Sequence, residues 1–200
     1  MPTNTPYSRM TGTWTIYVAA YGTASSDLDV AMAGAWTELG PTDGTQSIKM
    51  TGSAEYFYDN DNLGPVKAVN PVAGVTVTAT LVNMTPEQLA VAIGMAAADV
   101  IAHDTVPGAV SVELLPLGQD FAANEFALTM RGGAQPITNV MSPFGAWPAQ
   151  FYIPRGVFDG EPELVFSKDG SPGAEFTFTA LVDPNAPAAQ ELGVFESRDV

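Results

Sequence analysis

The sequence predicts a mainly β protein, a β-sandwich or barrel with one flanking α-helix at about residues 86–98. Three observations lead to this prediction. About eight or nine segments show the two-residue alternation of strands, and a single segment shows helical spacing. Thr, Gly, Pro, Val and Ala are abundant whereas Lys and Arg are scarce, and this composition favours strands and turns. The length of 200 residues suits one domain, residues 1–200.

The chain opens with a clear strand pattern. In "TWTIYVAAYG", Trp14, Ile16 and Val18 alternate with threonines and a tyrosine, and a second strand is expected around residues 35–39. The segment 42–73 that follows is predicted to be a long loop or an extended hairpin. A long excursion of this kind in a compact domain is more often functional than decorative.

The segment "GVTVTATLVNMTPEQLAVAIG" combines a strand with the predicted helix. Its first half alternates apolar residues with threonines. Thr85 then has the position of an N-cap, Pro86 that of the first helical residue and Gln88 that of the capping-box partner. Gly94 is expected to weaken the helix by about 1 kcal/mol relative to alanine, so that the helix depends on packing.

The second half of the chain returns to strands. "AVSVELLPLG" and "NEFALTMRGG" alternate, whereas the aromatic and proline-rich segment 141–158 favours a strand with irregular edges over a central one. A closing hairpin is predicted with its turn at 168–173, and its second arm places Phe176 on the face opposite to Glu175. Residues 183–200 are expected to form an extended C-terminal tail.

The charge balance excludes several classes of function. The chain has 22 acidic and seven basic residues, a formal net charge of −15, and no base lies between Lys67 and Arg131. Binding to nucleic acid or to an anionic membrane needs clustered Lys and Arg, so both are disfavoured. There is no cysteine, no apolar run of the roughly 18 residues that a membrane span requires, and no visible secretory signal. We therefore expect synthesis in a cytoplasm.

No residue pattern predicts catalysis. His103 is the single histidine, so a His-based metal site lacks ligands and a structural role is expected. "DNDNLG" resembles the start of an EF-hand loop, with Asp59 and Asp61 at the first and third places. Leu63 at the fifth place and Asn70 at the twelfth break the match, which leaves a hydrogen-bonded turn or weak calcium binding.

Serine and carboxylate chemistry also lack support. No serine lies in a G-x-S-x-G elbow, and paired carboxylates among so many acids carry little information. The sequence therefore predicts that the protein is not an enzyme, with no catalytic residue, cofactor or metal.

Three motifs, taken in order, resemble a known family. They are the W-x-x-L-G turn of Trp36 to Gly40, the strand followed by the "TPEQL" helix, and the F-x-F-x-A-L-x-D-P end of Phe176 to Pro184. This order resembles the major tail tube proteins of long-tailed, non-contractile bacteriophages and of related gene-transfer particles. The resemblance covers most of the chain by pattern and ordering, and it includes no catalytic string.

The resemblance implies a structural virion protein without enzymatic activity. Six copies would form a ring, the rings would stack into a tail tube assembled in the bacterial cytoplasm, and DNA would pass through without specific binding. Other partners would be the tape-measure protein and neighbouring tail proteins, with no membrane insertion. The loop 42–73, with Asp59, Asp61 and Leu63, would reach an adjacent ring. Glu113 and Glu175, on the polar faces of their strands, would make the lumen acidic and so repel phosphates.

Two alternatives remain open from the sequence. A head decoration or distal-tail protein would share the strands and the acidity. A carbohydrate-binding β-sandwich would use exposed aromatic side chains as a stacking platform. The candidates for that platform are Tyr56, Phe57 and Tyr58, or Trp147, Phe151 and Tyr152.

Overall fold

The computed structural model describes residues 9–10, 14–25, 28, 32, 34–52, 55–58, 65–69, 72–82, 85–96, 101–102, 113–115, 124–135, 147–165 and 173–197. Over these residues the protein is mainly β, with a curled antiparallel sheet that forms a half-barrel and a single short helix. The predicted fold class is confirmed.

The described elements are thirteen strands and one helix, α1 (Pro86–Ala92). The strands are β1 (Arg9–Met10), β2 (Thr15–Ala20), β3 (Thr37–Glu38), β4 (Thr42–Gly52), β5 (Glu55–Tyr58), β6 (Pro65–Val69), β7 (Val72–Val82), β8 (Ile101–Ala102), β9 (Glu113–Leu114), β10 (Phe126–Gln135), β11 (Trp147–Val165), β12 (Gly173–Ala180) and β13 (Val194–Ser197).

Nine strands form one antiparallel sheet in the order β3-β2-β10-β11-β12-β7-β4, with β1 beside β10 and β13 beside β11. Two further ladders, β5–β6 and β8–β9, have two strands each. In the path through the large sheet, β3 and β4 therefore occupy the two edges.

β11 lies at the centre of this sheet, so the prediction that this segment is not a central strand was wrong, although its pairing is irregular at two places. It has 19 residues and pairs with β10, β12 and β13. Its register with β10 shifts between the pairs Leu128–Ile153 and Phe126–Gly156, so Pro154 falls in a bulge. A bulge is one of the few places where a sheet accepts proline, which is why the proline does not exclude the segment from the sheet centre.

The inner face of the curled sheet carries the hydrophobic core. Phe176 and Phe178 of β12 are almost fully buried, and the ring of Phe158 contacts both of them edge to face, with centroids 5.5 and 4.9 Å apart. Further core side chains come from β2, β7, β10 and β11. The predicted alternation of β7 and β12 places these apolar side chains on one side of the sheet.

Helix α1 packs its buried residues Ala90, Val91 and Ala92 against this core. Its N-terminus has the predicted capping box, in which the side chains of Thr85 and Gln88 each accept a hydrogen bond from the other residue's backbone N–H.

The helix ends at Ala92, six residues earlier than expected. Gly94 has φ +83°, its N–H donates to the Val91 carbonyl, and the Met95 N–H donates to the Ala90 carbonyl. This is the hydrogen-bond pattern of a Schellman C-cap, which needs a residue in the left-handed region. Gly94 therefore terminates the helix instead of merely weakening it.

The outer face of the sheet is divided into a covered and an uncovered half. On β2, β10 and the first part of β11, the side chains Ala19, Ala127, Thr129 and Gln150 are buried. Trp36, from the connection between β2 and β3, packs over part of this half. On the last part of β11 and on β12, β7 and β4, the outward-facing side chains are half-buried or exposed.

The segment 42–73 contains strands over most of its described part. β4 and the following β7 pair directly with each other, and β5 and β6 form a further hairpin between them. The C-terminal segment folds back on the sheet. Residues 183–193 form turns, and β13 then pairs with residues 149–152 of β11.

Candidate functional site

The uncovered half of the outer face is a polar surface rich in threonine, which we call the threonine face. It spans four adjacent strands, β4, β7, β12 and the end of β11. Strand alternation creates it, because on β7 and β12 each of its residues lies between residues that point into the core. Its described members are Asp43, Ser47, Lys49, Thr76, Thr78, Thr80, Val157, Asp159, Glu175, Thr177 and Thr179.

The predicted lumen acid Glu175 lies on the threonine face and is exposed. In the ladder, Thr80 separates Glu175 from Asp43 of the edge strand, so the two acids belong to one row across the sheet. Two strand spacings put their backbones about 10 Å apart. Asp159 is also exposed and accepts a hydrogen bond of 3.0 Å from the Thr179 hydroxyl.

The described charges of the threonine face are three acids and one base, Lys49. The threonines between these charged residues are β-branched and favour strands, and the four charged side chains remain exposed. The described part of this face is therefore rich in hydroxyls and net negative. Such a surface offers phosphate groups little to bind.

The other predicted site residues lie elsewhere. Glu113 belongs to β9, whose ladder with β8 is separate from the large sheet, so it does not share a sheet with Glu175. Asp59, Asp61 and Leu63, the expected inter-ring residues, lie outside the described residues, and so does His103.

Two of the basic side chains are engaged within the molecule. Nε of Arg131 donates to Oε1 of Gln150 at 3.0 Å, and Nε2 of Gln150 donates to a carboxylate oxygen of Glu196, which forms a polar row across three strands. Arg155 makes a bidentate ion pair with Glu125, with distances of 2.9 and 2.5 Å. These hydrogen bonds lower the pKa of Glu125 and raise that of Arg155.

One proposed aromatic platform is excluded by strand alternation. Phe151 points into the core and is 3% exposed, whereas its neighbour Tyr152 points to the outer face and contacts the Trp36 ring edge to face. Because they point to opposite faces of the sheet, the side chains of Phe151 and Tyr152 cannot belong to one stacking surface. In the other candidate set, Tyr56 is 55% exposed, and the side chains of Phe57 and Tyr58 are not among those that the structure describes.

The two edges of the sheet are the second feature of the site. β4 offers an edge of 11 residues on which Asp43, Ser47, Lys49 and Met50 are exposed. At the other end, β3 has only two residues and both are exposed. Unpaired backbone groups along a sheet edge are a template for pairing with another chain.

Within the described ranges, no group of three or more His, Asp or Glu residues could hold a metal ion. In the same part of the chain, no helix has the length and apolarity needed to cross a membrane. A comparison with models of known protein families gives no match, and no curated protein shows significant sequence similarity.

Proposed function

We propose that the protein is a structural subunit that closes into hexameric rings, and that these rings stack into the tail tube of a bacteriophage or a gene-transfer particle. The observation that carries this proposal is an open, curled sheet whose end strands, β3 and β4, each pair with a single neighbour within the described part of the chain. Six half-barrels joined edge to edge would make one continuous barrel, because ring closure pairs each edge with a neighbour.

The threonine face gives such a ring a function. If this face lines the lumen, Asp43, Asp159 and Glu175 repeat around the wall in every subunit. A wall of carboxylates and hydroxyls repels phosphates, so DNA slides through without adhering. Six copies would multiply the formal charge of −15 that each chain carries.

The proposal is tested by cross-linking the two edges. The chain has no cysteine, so a variant with Thr37→Cys on β3 and Lys49→Cys on β4 has thiols only at the edges. Both positions are exposed. With a short bismaleimide, ring closure gives a denaturing-gel ladder that ends at the hexamer.

The matched control combines Thr37→Cys with Asp159→Cys, whose second thiol lies in the interior of the sheet. This pair should give only background cross-linking. If the edge pair and the control pair give the same products at every protein concentration, the edge-to-edge ring is refuted. A decoration protein that acts as a monomer would give that result.

A further inference from the structure

Asp183 is a buried carboxylate that forms no ion pair with any residue described in the structure. It lies just after β12, in the turn that leads to β13, and it is only 7% exposed. Buried aspartates are normally paired with a cation, because removing a charge from water is costly. This position therefore calls for an explanation.

The hydrogen bonds of Asp183 use only one of its two oxygens. Oδ1 accepts from the Tyr21 hydroxyl at 2.9 Å and from the Asn185 N–H at 2.9 Å. Among the described residues, Oδ2 accepts no hydrogen bond. The Tyr21 hydroxyl in turn accepts from Nδ2 of Asn185 at 3.0 Å, so the carboxylate is held in a fixed orientation.

Arg155 is a described cation close enough to sense the charge of Asp183, but its hydrogen bonds go to other groups. Arg155 lies over the Tyr21 ring, 5.4 Å from its centroid, but its nitrogens donate to Glu125 and to the Val182 carbonyl. The cluster thus holds two carboxylates and one guanidinium, and it has an unbalanced negative charge. The charge of Asp183 also affects Tyr152. Burial is the largest cause that raises the pKa of Tyr152, and the negative charge of Asp183 is the second largest.

Asp183 also lines a cavity of about 400 Å³ that is open to solvent. The walls are aromatic and apolar, from Tyr21, Tyr152, Pro154 and Pro187, and Gln190 adds an amide. This volume lies within the range of roughly 300–1,000 Å³ that is typical of small-molecule sites. Apolar walls with one fixed carboxylate suit an alkyl stem that ends in a positive charge.

From this cavity and its unpaired carboxylate, we infer that the protein binds a primary ammonium group on a flexible alkyl stem, with the ammonium on Oδ2 of Asp183. The stem lies against the tyrosines and prolines. Two sources supply this chemistry, a lysine side chain of another protein chain or a free aliphatic diamine. The inference stands independently of the proposed tube.

The test is a titration followed by ¹H–¹⁵N chemical shifts, with N-acetyl-lysine methylamide as the probe. We expect saturable shifts at Tyr21, Asn185 and Gln190 at millimolar concentration. N-acetyl-norleucine methylamide, which keeps the alkyl stem without the charge, should bind at least about tenfold more weakly, because a charge-assisted hydrogen bond is lost. Putrescine serves as the diamine probe. Tighter binding of the capped lysine would favour a protein side chain, and tighter binding of putrescine would favour a free diamine.

The variant Asp183→Asn keeps an oxygen for Tyr21 and Asn185 and removes only the charge. It should fold and lose at least about tenfold in affinity for the capped lysine. The matched control, Asp43→Asn, makes the same change on the threonine face and should bind as the wild type does. The inference is overturned if no shift saturates, if the norleucine analogue binds equally well, or if both variants keep full affinity.

Discussion

The substitution Gly156→Ala tests how closely the central strands are packed. An added Cβ at this position would lie 2.5 Å from Cε1 and Cζ of the Phe178 ring and 2.7 Å from the Thr179 carbonyl oxygen. Neither neighbour can move easily. Phe178 is 0% exposed and packs edge to face on Phe158, and Thr179 is paired with Val157 in the β11–β12 ladder.

Overpacking of this kind costs about 1–3 kcal/mol. The change from glycine to alanine in a strand returns about 0.5–1 kcal/mol of backbone entropy. From these two ranges we expect a net loss of about 1 kcal/mol, and of roughly 2.5 kcal/mol at most, in the free energy of unfolding. Urea denaturation followed by tryptophan fluorescence measures it as a lower midpoint at an unchanged slope.

The control is Gly74→Ala, the same change in another strand of the sheet. Its Cβ would meet only the Thr51 hydroxyl, at 3.1 Å, and Thr51 is exposed and can rotate. Because the same backbone entropy is gained and only this mobile hydroxyl has to shift, this variant should be as stable as the wild type or up to about 1 kcal/mol more stable.

A double variant identifies the clash as the cause. Phe178→Leu removes the ring atoms that the new Cβ would meet, so Gly156→Ala should cost less in that background, with a coupling of 0.5 kcal/mol or more, roughly. If Gly156→Ala is as stable as Gly74→Ala, or if its cost is unchanged by Phe178→Leu, the packing argument is refuted.

Three further predictions concern the helix end, the ion pair and the threonine face. Gly94→Ala forces a Cβ into the left-handed region and should lower the free energy of unfolding by about 1–2 kcal/mol in urea titrations; an unchanged midpoint would contradict the C-cap. Because the ion pair with Arg155 lowers the pKa of Glu125, its stabilisation is present above the ordinary glutamate range and is lost as the pH falls through the lowered value. Glu125→Gln should therefore flatten this acid limb of stability against pH, and an unaltered limb would count against the pair. In assembled protein, Glu175→Lys should create salt-dependent binding of a short DNA duplex, measured by fluorescence anisotropy. The control Glu191→Lys makes the same change outside the threonine face and should bind the duplex more weakly. Equal binding by the two variants would refute the placement of the threonine face in the lumen.

The sequence predicted the parts of the fold that local chemistry determines. Alternation assigned the inward and outward faces of β7 and β12, and the Thr85–Gln88 capping box located the start of the helix. Both signals depend on residues close together in the chain. The outward position of Glu175 follows from the same alternation.

Features that depend on distant residues were missed. Gly94 can either weaken a helix or end it, and the choice depends on whether the Schellman hydrogen bonds form. Prolines such as Pro154 argued against a central strand. The bulge that accommodates Pro154 could not be predicted, because it depends on pairing with the distant strand β10. Thr129 lies on the outer face and is nevertheless buried, which the alternation of its strand does not predict.

The site that we propose for an ammonium group could not be predicted from the sequence. Asp183 and Tyr21 are 162 residues apart in the chain, and the "VDPNAP" segment on its own indicates only a turn. Burial of the carboxylate and the commitment of Arg155 to Glu125 become visible only in three dimensions.

The central claim is that this chain assembles into rings through its sheet edges. Negative-stain electron microscopy of the purified protein over rising concentration, with sedimentation velocity on the same samples, tests it most directly. The account predicts rings or hollow tubes of uniform width and a hexamer boundary that grows with concentration. A monodisperse monomer at every concentration, together with no ladder from the edge-cysteine variant, would contradict it.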